Sequence, residues 1–129
     1  MRPETLIKWH KLLETRNLEV LGALLSENVV FHSPIVHTPQ VGKAITEKYL
    51  GAALAVLVND TFEYVREIVE ENQAMLEFVV QLDDIQVNGV DIIQWDEDNR
   101  IVDFKVLVRP LKAVNIVHER MMAMLQGSR

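Results

Sequence analysis

The chain has no cysteine among its 129 residues. That excludes a disulfide framework and thiolate chemistry, and it fits a reducing compartment. Long apolar runs are missing too: the longest, Leu50–Val58, is about half of what a membrane-crossing helix needs. The opening MRPETLIKWHKLLE lacks the uninterrupted apolar core of a signal peptide. A cytoplasmic protein with no membrane partner is therefore expected. Basic residues are scattered rather than massed, and 13 Lys and Arg face 19 Asp and Glu for a net charge of −6. This gives no footprint for nucleic acid. No paired-histidine spacing supports a metal site, and Asp96-Glu97-Asp98-Asn99 lacks the glycine and downstream glutamate of a calcium loop. Neither metal nor cofactor is expected. Repeats, linkers and low-complexity stretches are absent as well.

What is present is an ordinary globular composition, 49% hydrophobic and 25% charged. Residues 1–129 make one domain, long enough to bury roughly two-thirds of its unfolded surface. Pro3 suits a first helical turn, and Leu6, Trp9 and Leu13 continue a 3.6-residue stripe to about Thr15. Asn17 suits the N-cap of a short second helix with Leu18, Leu21, Leu24 and Leu25 as its buried face. Val29–Ser33 reads as a short strand ended by Pro34. Gly42 opens a third helix whose apolar surface is wide enough to require burial on more than one side.

After Asn59-Asp60 the period becomes two. Thr61–Glu70 reads as a strand, followed by a longer one from Ala74 with Leu76, Phe78, Val80 and Leu82 on one face. Asp83-Asp84 interrupts this strand in the manner of a bulge. Asn88-Gly89 is the dipeptide that favours a tight hairpin turn, so a new strand is expected just after it. There Asp91, Ile93 and Trp95 share a face. The acidic turn Asp96–Asn99 follows, then a return strand with Val102, Phe104, Val106 and Val108 in alternation. Pro110 ends the sheet and starts a last helix, with Leu111, Val114, Val117 or His118, Met121 and Leu125 as its stripe. Helices first and four successive antiparallel strands afterwards predict an α+β fold. A curved sheet wrapped around helices would leave a conical hollow under its concave face.

Two segments carry a resemblance that extends over nearly the whole chain. In NVVFHSPIVHTPQVGKAITEKYL a short strand ends in Ser-Pro and a Gly-led helix follows. In VDIIQWDEDNRIVDFKVLVRPL a strand pair with an acidic turn closes on Arg-Pro. On these the chain resembles the nuclear transport factor 2-like superfamily, with its cystatin-like cone, and within it the SnoaL-like (polyketide-cyclase-like) domains. That superfamily includes isomerases, dehydratases, epoxide hydrolases, cyclases and non-catalytic proteins, so fold alone selects no activity. Laid over ketosteroid isomerase, a member of this superfamily, the general-base aspartate before a proline corresponds to Ser33. The oxyanion-stabilising tyrosine on the first helix corresponds to Trp9 or its neighbour His10. The protonated aspartic acid of the penultimate strand corresponds to Asp91. The loss of the base argues against ketosteroid isomerase activity while leaving room for a pocket.

Asp91 has two readings. Enclosed among apolar side chains, its carboxyl favours the neutral form and can donate a hydrogen bond or act as a general acid. Otherwise it is a strand aspartate bonded to a neighbouring helix or a tyrosine and holding the register. Ser33 and His37 are the further catalytic candidates, His37 from a loop at the mouth. Strand alternation puts Ser33 and His32 on opposite faces, which argues against a dyad between them. Trp9, His10, Phe31 and Tyr49 are candidate pocket walls from the helices and the short strand. Phe78, Ile93, Trp95, Phe104 and Val106 are candidates from the sheet. The outer sheet face, with Val65, Val69, Val79, Val90 and Ile92 bordered by charge, is compatible with a two-fold homodimer. Two hypotheses follow. One is cofactor-free acid–base chemistry on a small, mostly apolar molecule, of isomerase, dehydratase or hydrolase type. The other is a non-catalytic ligand-binding or protein-association module of the same fold.

Overall fold

Helix α1 (Glu4–Thr15) buries Thr5, Leu6, Trp9, Leu12 and Leu13 at helical spacing, and ends where Arg16 turns left-handed at φ 55°. The computed structural model describes residues 2–127. Asn17 does cap the next segment, its side chain accepting from the Glu19 amide at 3.2 Å. That segment is a 3₁₀ turn (Leu18–Val20) running into the single-turn helix α2 (Leu21–Leu24). Leu25 already belongs to strand β1 (Leu25–His32), because it pairs with Ile101 before a register shift absorbs the polar Ser26–Asn28 stretch. The expected strand thus starts earlier and the expected helix is shorter. Leu18 leaves the core as a result and is 37% exposed.

Strand β2 (Gln40–Val41) pairs antiparallel with β1. Gly42 follows at φ 106°, a backbone conformation closed to most side chains, and its amide bonds Val29 O at 2.8 Å. Helix α3 (Lys43–Leu57) then buries Thr46, Leu50, Ala53 and Leu57 together with Ala52, Leu54 and Val56. This is the burial on several sides that its breadth required. The remaining strands are β3 (Glu63–Glu70), β4 (Gln73–Leu82), β5 (Ile85–Trp95) and β6 (Ile101–Arg109), and helix α4 (Leu111–Gly127) closes the chain. The sheet order is β2-β1-β6-β5-β4-β3. Strand β1 pairs with β2, and β3 to β6 pair in succession, all antiparallel, but β1 lies parallel to β6, so the curved sheet is mixed.

Several local expectations are corrected by this register. The hairpin turn between β4 and β5 is Asp83-Asp84, with Leu82 opposite Ile85 and Asp83 at φ 55°. Asn88-Gly89 lies inside β5, where Gly89 sits opposite Phe78. A Cβ on Gly89 would come within 2.3 Å of the Phe78 ring and 2.6 Å of Leu107 O. The glycine is there to admit a neighbouring ring, not to turn the chain. In β6, Gln94 pairs with Asp103 and Trp95 with Ile101, leaving Val102 as the extra residue of a bulge. That is why Ile101 and Phe104 are both buried. A second irregularity between Tyr64 and Arg66 makes Ile68, not Val69, the partner row of Met75 and Ile92. In α4 the buried residues are Ala113, Val117 and Met121, whereas Leu111 is 73% exposed. Arg109 donates to the Asn88 side-chain oxygen at 3.3 Å.

The core lies between the concave sheet face and the helices. Trp9 packs on Phe104 with ring centroids 4.9 Å apart, and Phe31 meets Phe104 at 6.1 Å. Each large side chain enclosed this way contributes about 1.5–3 kcal/mol relative to exposure. The acidic turn is tied to α1, since Thr5 Oγ1 donates to Asn99 O at 3.0 Å. Among the described residues, no helix is long and apolar enough to cross a membrane.

Candidate functional site

Strand alternation points Val87, Gly89, Asp91, Ile93 and Trp95 into the concave face, and Asp91 is only 5% exposed. Leu76 and Val106 stand beside it on the neighbouring strands. A carboxyl in such surroundings needs a partner. Tyr64 supplies it: its Oη donates to Asp91 Oδ2 at 2.5 Å, and Trp9 Nε1 donates to the same Oη at 2.9 Å. Three residues from α1, β3 and β5, distant in sequence, thus form one line of hydrogen bonds. Burial pushes the Asp91 carboxyl up from 3.8 to about 7, with the Tyr64 hydrogen bond opposing that rise. The Tyr64 hydroxyl is itself pushed well above 10.0, first by burial and then by the Asp91 charge.

Near neutral pH Asp91 therefore stands between carboxylate and neutral acid. As a carboxylate it takes the Tyr64 proton in a hydrogen bond. As an acid it can donate to Tyr64 Oη, and that leaves the tyrosine O–H free to donate to a third group. The pair can hold or release one proton without any cofactor.

Tyr64 also has an open side. A cleft of about 320 Å³ is lined by Tyr64, Phe62, His10, Leu13, Arg16 and Asp60, among others. His10 stands edge-on to Tyr64 with ring centroids 5.3 Å apart, and Phe62 does the same at 5.0 Å. His10 Nε2 lies 3.0 Å from Glu67 Oε2, yet it makes no directed hydrogen bond. The contact is close in distance and poor in angle, so it counts as a charge contact only when the ring is protonated. Arg2 shares the same carboxylate at 3.3 Å.

The other candidates are dispersed over the fold. Trp9 and His10 lie at the Asp91–Tyr64 assembly. Phe78 stacks on Phe62 at 5.2 Å, while Phe31, Ile93, Trp95, Phe104 and Val106 are buried in the core. Tyr49 is only partly buried, on α3. Ser33 and His37 are elsewhere, in a separate cleft of about 500 Å³ that also touches His32, Lys105 and Val106. Ser33 Oγ accepts from the Ile35 amide at 3.2 Å, and His37 is exposed. His32 joins that cleft despite its opposite strand parity, with Nε2 3.1 Å from Asp103 Oδ1. Asp91 does not line it. Among the described residues, no three metal-ligating side chains converge on one point.

Nothing in the spacing around Tyr64 by itself marks it as a functional residue. The available signal is its side chain: it alternates with Val65 on a strand, and a tyrosine turned inward requires a partner for its hydroxyl.

Comparison with known proteins adds to this geometry. The family model described as the SnoaL-like domain matches residues 6–104. A crystal structure of a steroid delta-isomerase from Pseudomonas aeruginosa is similar at 35% identity, over 95% of this chain and 90% of that one, with a TM-score of 0.89. An uncharacterised protein with a cystatin-like fold from Silicibacter pomeroyi is 27% identical over 97% of this chain and 87% of that one, with a TM-score of 0.88. An NTF2-like protein of unknown function from Mesorhizobium loti shares the fold at 17% identity, covering 83% and 89% of the two chains with a TM-score of 0.69. No curated protein matches the chain.

Proposed function

Because the chain belongs to the SnoaL-like domain family, we propose that it binds a small, mostly apolar molecule bearing one hydrogen-bonding oxygen. On that molecule it carries out cofactor-free acid–base chemistry of isomerase, dehydratase or hydrolase type. One observation carries the reading: a buried carboxyl, raised to about 7, is hydrogen-bonded to a tyrosine that lines an open cleft. Groups poised near the working pH are the efficient proton donors and acceptors, and perturbed carboxyls cluster at functional sites. In this scheme the ligand oxygen meets the Tyr64 hydroxyl from the cleft side, and Asp91 replaces or receives the proton behind it. The similarity to a steroid delta-isomerase supports the chemical class. Ser33, at the position of that chemistry's carboxylate base, does not, because a serine hydroxyl takes up no proton at neutral pH.

The second reading is a non-catalytic ligand-binding or association module. It is favoured by the same Ser33, whose hydroxyl is already engaged by Ile35, and by the aromatic side chains that fill the hollow. To decide between them, wild type, Asp91→Asn and Tyr64→Phe are screened against ketones, epoxides and lactones for binding by NMR and turnover by mass spectrometry. Turnover in the wild type that both variants lose supports the first reading. Binding without turnover of any bound compound supports the second.

The outer sheet face is proposed as the surface of a two-fold dimer. It carries Ile68, Met75 and Leu107, 57%, 45% and 52% exposed, with Val90 and Ile92 between them in register. Sedimentation of a Met75→Lys variant as a monomer, against a dimeric wild type, is the expected outcome.

A further inference from the structure

The Tyr64 cleft does not end at Tyr64. Leu13, Arg16 and Val58 line it and also line a second cleft of about 180 Å³. Beyond this shared wall the second cleft is bounded by Leu12, Leu54, Ala55 and Leu18, all apolar. Apart from the Arg16 side chain at the junction, no residue in it carries a charge. Leu18, in the 3₁₀ turn, is 37% exposed and lines this opening, and Ala55 on α3 is exposed as well. Apolar surface is thus left uncovered in a cleft that adjoins the one Tyr64 lines. Arg16 Nη2 reaches Asp60 Oδ1 at 2.6 Å, linking the end of α1 to the loop before β3 at the first cleft. The pair is exposed, 50% and 97%, and such surface pairs open at little cost.

We infer that the two clefts form one site for a linear amphiphile, with a carbonyl head at Tyr64 and an unbranched alkyl tail along Leu13, Val58 and Leu18. The substrate class is an aliphatic ketone or aldehyde. This inference rests on the Tyr64 reading for the head and on the uncovered apolar wall for the tail. A single chain is specified because the tail portion offers only about 180 Å³ between apolar side chains, against about 320 Å³ beside Tyr64.

The test is an NMR titration of the full chain with methyl ketones from butanone to decanone. Affinity rises about fourfold per added methylene until the tail cleft is full, and the methyl signals of Leu18 and Val58 shift with the longer ketones. Ala55→Trp, on an exposed position of α3, fills the tail cleft without opening the core and flattens that slope. Tyr64→Phe weakens every length by the same factor and leaves the slope intact. A slope that Ala55→Trp does not change, or no slope in the wild type, overturns the inference. A slope that persists while Tyr64→Phe alters nothing instead removes the head reading and keeps the tail site. Shifts at Leu18 and Val58 that follow protein concentration without ketone assign the groove to a second copy of the chain and overturn the proposal.

Discussion

Replacing Asp91 with asparagine removes a side chain whose charge state is tied to folding below and around neutral pH. The folded carboxyl holds its proton up to about 7, against 3.8 when unfolded. Between those values the native state binds more protons than the unfolded state, so stability falls as pH rises. The contribution is whole below the unfolded value and gone once pH passes the folded one. A gap of this size amounts to about 4 kcal/mol at most, from about 1.4 kcal/mol per unit. Asparagine stays neutral throughout. It can still accept from Tyr64, but its amide hydrogens lack a partner, a constant cost of about 1–3 kcal/mol. The expected signature is therefore a slope and not an offset. The melting temperature of Asp91→Asn minus that of wild type should climb between pH 4.5 and 7, by something on the order of 10 °C, and then level off. Circular dichroism melts at four or five pH values measure it. A difference that stays flat over this range would refute a protonated Asp91 and, with it, the acid–base pair.

Tyr64→Phe should cost about 1–3 kcal/mol by urea denaturation, because it strips the partner from both Asp91 and Trp9 Nε1. It should also move the Asp91 titration, followed by carboxyl carbon NMR, further upward, since the lost hydrogen bond is what restrains it. Gly89→Ala should destabilise by about 1–3 kcal/mol through overpacking, and Phe78→Leu in the same chain should recover part of that loss, a coupling a double-mutant cycle reads directly. Thr5→Val should cost about 1 kcal/mol by removing the bond that ties α1 to the acidic turn. Arg16→Ala, at an exposed ion pair, should change stability by no more than about 1 kcal/mol.

The alternation of Asp91 with Ile93 and Trp95 already pointed its carboxyl inward, because strand geometry fixes side-chain direction two residues at a time. Where an extra residue breaks that rule, spacing along the chain no longer gives the face. The Val102 bulge and the irregularity after Tyr64 each add a residue to one strand, and from there the faces exchange. Asn88-Gly89 misled for another reason. Its preference for a turn is real, but a position without a Cβ also suits a strand that must admit the Phe78 ring, and only the facing strand discloses which applies.

By itself the sequence determined the α+β order, the helical and two-residue periods, the inward aspartate and the likeness to a fold family. These are local properties, written in the spacing of apolar side chains along a few turns or strands. Tertiary structure alone decided that Trp9, Tyr64 and Asp91 meet, that Ser33 and His37 stand in another cleft, and that Leu18 is left uncovered beside Val58. Those depend on the register between strands and on how α1 crosses the sheet. Contacts between residues 55 positions apart, such as Trp9 and Tyr64, are set by packing the whole chain at once and not by any window of it.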